Sequence, residues 1–139
     1  MAEDRTSGQQ MLTFSCNDVI YGFDIKTVTD IIEIPELTKL PMVADYVLGV
    51  MNLRGKVIPV IDFAGRMGFD EPEYDSHSCI IVIDCDGSAL GVKVPRVVDA
   101  ETYDPENVSL SPVSGSCVNG YLELSGRRIT VIDQIKLGR

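Results

Sequence analysis

Asp62 and Asp133 each close a Val-Ile-Asp run, and carboxylates contributed by the two halves of a duplicated chain can share a proton for general acid–base work. Such a dyad is presented by a tight Ser/Thr-Gly turn, whereas Asp62 runs into Phe63-Ala64 and Asp133 into Gln134-Ile135. An enzyme using Asp62/Asp133 is therefore a distant alternative. His77 and Cys79 could pair on a metal, but a chain with one histidine offers too few of the donors that a zinc site needs. Cys16, Cys79, Cys85 and Cys117 show no C-x-x-C spacing and fall mostly in apolar runs. They read as reduced core thiols of a cytoplasmic protein. The stretch from Gly115 to Gly120 reads as a loop and not as a phosphate cradle. No catalytic residue, metal or cofactor is expected.

The remaining candidate is a hairpin charge. Leu48–Phe63 contains Asn52-Leu53-Arg54-Gly55, and a degenerate copy of this stretch lies near the C-terminus. Gly49 matches Gly120, Leu53 matches Leu124, Gly55 matches Gly126 and Asp62 matches Asp133, all at an offset of 71 residues. Upstream, Tyr21–Asp30 matches Leu90–Asp99 at an offset of 69. The chain is thus two versions of one unit of about 70 residues, each too small for a large core of its own. The glycines, the leucine and the Val-Ile-Asp runs persist in both copies, as turn geometry and strand packing require. Asn52 is replaced by Glu123 and Arg54 by Ser125. A specialised role falls on the tip that only one copy has, the plain alternative being a solvated hairpin arginine.

The elements that must carry this tip are short strands. Met11 to Cys16, Val19 to Asp24, Val47 to Asn52, Lys56 to Asp62, Cys79 to Asp84, Ala89 to Val94, Gly120 to Leu124 and Arg128 to Ile132 are rich in apolar and β-branched residues, with Gly, Asn or Asp between them. Helix is scarce: Phe63 to Met67 suits one turn, and Ile25 to Ile32 suits a turn or a strand. Pro59 predicts an edge position or an irregularity, because proline cannot donate to a ladder, while its counterpart Thr130 can. Many short strands with hairpin turns predict small barrels that close their own edges. The polar residues 1–10 read as a flexible leader, and residues 11–139 as a single domain of two barrel subdomains, at about 16–78 and 79–139. The N-terminal strand is free to cross to the second barrel.

The chain has 139 residues, a formal charge of −9 and a pI near 4.4, which argues against nucleic-acid binding. No apolar run approaches the roughly 20 residues needed to cross a bilayer, so no direct membrane insertion is expected.

Tyr21-Gly22-Phe23-Asp24-Ile25, then Val28, then the run from Tyr46 to Asp62 carry a family resemblance, joined by Cys79 to Asp99, Tyr103-Asp104-Pro105-Glu106, the Gly120 region and Val131 to Leu137. Nearly the whole chain from about Met11 resembles the bacterial chemotaxis coupling proteins of the CheW family. The resemblance implies an all-β fold of two intertwined, five-stranded SH3-like barrels related by internal pseudosymmetry, with little helix and no catalysis. It implies an adaptor recruited to membrane-associated receptor arrays, where it couples the cytoplasmic tip of a chemoreceptor to the regulatory domain of the histidine kinase CheA. The same fold serving an array outside motility is the alternative.

In the family the receptor's helical hairpin lies in the groove between the barrels. Ungapped matching carries the receptor-side positions onto Val28, Asp30, Gly49 and Arg54, and the hairpin tip adds Asn52, Leu53 and Gly55. The kinase-side surface is assigned to the first barrel, at Ile34, Leu37, Leu40 and Val57. The family commonly has glutamate where this chain has Asp30, so Asp30 and Arg54 are expected to form a salt bridge, with aspartate one methylene shorter. Two departures stand out: the chain stops soon after Ile135-Lys136-Leu137, and the link from Met67 to Ser78 is acidic, with Asp70, Glu71, Glu73 and Asp75.

Overall fold

The computed structural model of the protein describes residues 9–110 and 117–138. The leader expected over 1–10 lies outside these residues except for Gln9 and Gln10, which already belong to the first strand. Among the described residues eleven strands are formed: β1 (Gln9–Cys16), β2 (Val19–Asp24), β3 (Val28–Glu33), β4 (Val47–Leu53), β5 (Lys56–Asp62), β6 (Cys79–Cys85), β7 (Ser88–Val94), β8 (Arg96–Tyr103), β9 (Ser109–Leu110), β10 (Val118–Leu124) and β11 (Arg127–Ile132). Two short helices, α1 (Phe63–Met67) and α2 (Gln134–Leu137), follow β5 and β11. Ile25–Thr27 is a 3-10 turn, which settles the ambiguous stretch before β3. The reading of Gly115 to Gly120 as a loop is corrected at its end, since Val118, Asn119 and Gly120 open β10; its first two residues lie outside those described.

Among the described residues the strands form a six-stranded sheet, β8-β1-β2-β11-β10-β9, and a five-stranded sheet, β3-β6-β7-β5-β4. A sequential division at residues 78 and 79 does not describe them. β6 and β7 of the second repeat lie between β3 and β5 of the first, and β1 and β2 lie between β8 and β11. Each repeat has therefore handed its leading hairpin to the sheet of the other, and two strands cross at the N-terminus rather than one. The exchange happens at two abrupt turns. Asp24 accepts from the backbone N of Lys26 at 3.0 Å and its carbonyl from the Thr27 hydroxyl at 2.7 Å, diverting the chain between β2 and β3. Pro95 separates β7 from β8, where a missing N–H interrupts any continuous ladder.

The hairpins use two-residue turns with both central residues left-handed, the geometry that matches strand twist. Arg54 and Gly55 have φ of 51° and 84°, and Ser125 and Gly126 have φ of 54° and 78°. Gly49 has a different reason to be glycine: a Cβ there would stand 2.3 Å from the Thr38 carbonyl oxygen, and one on Gly120 would stand 2.3 Å from that of Ser109. The β4–β5 and β10–β11 ladders also shift register at these positions. Pro59 is not on an edge strand, since β5 lies between β7 and β4. Parallel pairing of β5 with β7 starts only at Val60, however, while the equivalent ladder of β11 with β2 includes Thr130.

Alternation along the strands builds three clusters. Met11, Tyr103, Leu122, Ile129 and Val131 fill the six-stranded barrel, and Met51, Ile58, Val60, Ile80 and Val82 fill the five-stranded one. The largest cluster lies between them and draws on both sheets, with Phe14, Tyr21 and Phe23 facing Ile61, Ile81, Ile83 and Val92. Phe63, at the start of α1, meets Phe14 edge-on at 4.9 Å and Tyr21 at 4.7 Å, distances at which aromatic pairs attract.

Candidate functional site

Asn52 begins the site. Its side-chain oxygen accepts from the backbone N of Gly55 at 3.0 Å, which ties the β4–β5 turn and leaves Arg54 projecting at its apex. Across the barrel, β3 shifts register against β6 between Val28 and Asp30, a bulge of the kind that re-aims a side chain. Arg54 Nη2 then reaches Asp30 Oδ1 at 2.5 Å and Nη1 reaches Oδ2 at 3.3 Å. The expected salt bridge is present and two-pronged, the geometry that guanidinium and carboxylate favour. The carboxylate side chain is 17% exposed and the arginine 70%, so the arginine screens its partner while staying open to solvent. The Arg54 hydrogen bond and charge hold the Asp30 carboxyl below the usual carboxylate range against an opposing desolvation, and the Asp30 hydrogen bond in turn raises Arg54.

The pair borders an open cleft of about 840 Å³ whose walls include Lys26, Leu53, Val57, Ile58 and Pro59. Every lining residue belongs to the five-stranded barrel or its turns, so this cleft is on one barrel and not between two. Of the residues matched to the receptor side, Asp30, Leu53 and Arg54 meet here. Gly55 shapes the turn. Val28 packs against the shared core, and Gly49 is buried beside Thr38.

The four kinase-side candidates do not behave as one group. Val57, 69% exposed, lines the Asp30–Arg54 cleft. Leu37 packs against the cluster inside its own barrel. Ile34 and Leu40 are 37% and 41% exposed, and Met42 is fully exposed. Two further exposed apolar side chains, Ile31 and Met42, were not singled out from the sequence. Ile31 could have been found, because alternation in β3 places it with Thr29 and Glu33 on the outer face, where an exposed isoleucine is out of keeping.

The second barrel repeats the arrangement with different residues. Arg127 Nη2 meets Glu101 Oε2 at 2.6 Å, so an arginine of this hairpin also clamps β8, an edge strand of the same sheet. The asymmetry of Arg54 and Ser125 placed the specialised tip in one copy; in the other copy the clamping arginine, Arg127, sits beyond the turn at the position of Lys56. Arg128 stacks over Tyr121 at 4.1 Å beside an open cleft lined also by Asp18, Val19 and Ile20.

The two aspartates have separate tasks. Asp133 Oδ1 accepts from the backbone N of Ile135 and of Lys136, capping α2. Asp62 makes no such cap and instead accepts from the Tyr74 hydroxyl. His77 turns toward Asp75, with Nδ1 3.5 Å from its carboxylate. All four cysteines are free thiols, and burial pushes Cys16 and Cys85 up to about 11. No group of three or more metal-ligating side chains occurs among the described residues.

Residues 10–138 match the model of the CheW-like domain. The chain belongs to the CheW family. It is 30% identical over 131 residues to the chemotaxis protein CheW of Rhizobium meliloti, covering 91% of this chain and 84% of that one. It is 31% identical over 133 residues to the Thermotoga maritima CheW, covering 92% and 86%. The crystal structure of the scaffolding protein TtCheW from Thermoanaerobacter tengcongensis superposes with a TM-score of 0.85 at 29% identity, over 90% of this chain and 88% of that one. The architecture is accordingly the CheW fold of two SH3-like barrels, and the protein is a chemotaxis scaffold or adaptor. No helix among the described residues is long and apolar enough to cross a membrane.

Proposed function

We propose that this CheW-family protein is a non-enzymatic adaptor coupling the cytoplasmic tip of a methyl-accepting chemoreceptor to the histidine kinase CheA, and that it works at membrane-associated receptor arrays. The observation that carries this reading is the cleft bordered by the Asp30–Arg54 pair. It offers an anchored but solvent-facing guanidinium beside exposed Val57 and half-buried Leu53. A rigid charge next to an apolar step suits a helix that presents polar and apolar side chains one turn apart. The receptor side is assigned to Asp30, Leu53 and Arg54, with Val28, Gly49, Asn52 and Gly55 completing it, and is joined by Val57, which was expected on the kinase side but lines the same cleft. The kinase side is assigned to the exposed Ile34 and Leu40, with Leu37 supporting them.

Reconstitution tests both sides. The protein is mixed with a receptor signalling fragment and CheA, and co-sedimentation and kinase activity are measured for wild type, Arg54→Ala and Leu40→Asp. Arg54→Ala is expected to lose receptor binding and keep CheA binding, and Leu40→Asp the reverse. Failure of the wild-type protein to form any ternary complex with its cognate partners sinks the coupling role, while intact receptor binding by Arg54→Ala removes Arg54 from the site.

A further inference from the structure

The acidic link between α1 and β6 lies against both barrels. In the turn between β1 and β2, Asn17 donates its side-chain N–H to the Asp70 carbonyl at 3.1 Å. Farther along, the Tyr74 hydroxyl donates to Asp62, and the Lys93 ammonium sits 3.9 Å over the Tyr74 ring. Asn17 belongs to a hairpin of the six-stranded sheet, whereas Asp62 and Lys93 are register partners in the five-stranded one. Between these attachments no backbone–backbone hydrogen bond among the described residues involves Asp70 through Tyr74. A segment that relies on a few side-chain contacts opens at a smaller free-energy cost than the strands beneath it. Its own carboxylates, Asp70, Glu71, Glu73 and Asp75, lie along the same short stretch as the Asp62 contact, and like charges favour release.

The duplication shows what Asp62 has given up. Asp133, its counterpart, caps its helix through two backbone N–H groups, while Asp62 at the start of α1 forms no side-chain cap and accepts from the link tyrosine instead. Directly before Asn17 lies Cys16, which is 1% exposed. Its thiol is pushed up to about 11 by burial first and by the Asp62 charge second, so it is slow to react while covered.

We propose that the acidic link is a latch across the seam between the barrels, held to one barrel by Tyr74 and to the other by Asn17, and that it opens without either barrel unfolding. Opening takes Asp70 out of the notch that it shares with Asn17, Val19 and Tyr21 and admits solvent to Cys16, which serves as its reporter.

The test is alkylation of the intact chain at mildly alkaline pH, resolved cysteine by cysteine by mass spectrometry and read beside the thermal midpoint. Tyr74→Phe keeps a ring under Lys93 and removes the hydroxyl. Asn17→Gly suits a residue with φ of 52° and removes the other donor. Each variant is expected to speed labelling of Cys16 by about tenfold, the effect of losing one hydrogen bond of this kind, and to lower the midpoint by a few degrees, while Cys16 labelling stays faster than Cys117 labelling and, unlike it, nearly independent of added urea. Cys117 is buried in the same core and reports global unfolding. Unchanged Cys16 labelling in both variants overturns the latch. So does Cys16 labelling that matches Cys117 labelling in rate and in urea dependence, which makes opening global. A rise in one variant alone refutes the two-barrel hold.

Discussion

Asp30 reaches Arg54 even though aspartate is a methylene shorter than the glutamate expected from the family resemblance, and the bulge between Val28 and Asp30 supplies the local bend. Their pairing was expected from the family resemblance and not from residue spacing, since Asp30 has its own repeat counterpart in Asp99. Arg127–Glu101 was not legible, since its arginine falls two positions from the aligned Ser125 and its partner is 26 residues away. Arg54→Ala should weaken binding of a receptor fragment at least about tenfold without altering the thermal midpoint, as expected for a side chain that is 70% exposed. The pair also has a definite pH sign. The folded carboxyl of Asp30 is lowered, so whatever the pair contributes is fully present above the ordinary carboxylate value and is lost as pH falls through the lowered one. An NMR titration of the Asp30 carboxyl should therefore show a midpoint below about 3.9, moving upward in Arg54→Ala. An unmoved midpoint would deny the contact.

Glycine at positions 49 and 120 was legible as a retained residue, but its cause lies in how elements approach one another. Thr38 pairs with Val50 as an isolated bridge, and Ser109 pairs with Tyr121 in the other barrel; each brings a carbonyl where a Cβ would stand. Gly49→Ala, which also places alanine at φ of 142°, should cost on the order of 3 kcal/mol in urea unfolding. A cost under about 0.5 kcal/mol, the range of an ordinary surface change, would show that Thr38 simply moves aside. A second connection was invisible from sequence. Arg66 of α1 donates to the Leu137 carbonyl at 3.1 Å and the Lys136 carbonyl at 2.9 Å, tying one short helix to the C-terminal carbonyls of the other. Arg66→Ala should cost about 1–2 kcal/mol and release amide protection in α2 before any strand; if α2 protection survives, Arg66 is not its anchor.

At the scale of the molecule, hairpin exchange makes each barrel incomplete without strands from the other repeat, and the largest core cluster takes side chains from both sheets. Phe63→Ala, at the junction with Phe14 and Tyr21, should cost about 3–5 kcal/mol and lower protection in both sheets together. Hydrogen exchange under mild denaturant would detect it, and a barrel that kept its protection while the other exchanged would show that the two fold independently. By itself the sequence determined the duplication, the strand and turn positions and the scarcity of helix, because these follow from side-chain alternation, turn residues and a repeat offset, while the Asp30–Arg54 pair was expected only through the family resemblance. Only the tertiary structure decided which hairpin completes which barrel and that the Asp30–Arg54 cleft lies on one barrel. The physical reason is that Val19–Asp24 and Ser88–Val94 are versions of one strand. Each offers much the same edge and apolar face to either sheet, so local pattern leaves the pairing open, and the turn at Ile25–Thr27, the break at Pro95 and the packing of the shared core select the exchanged arrangement.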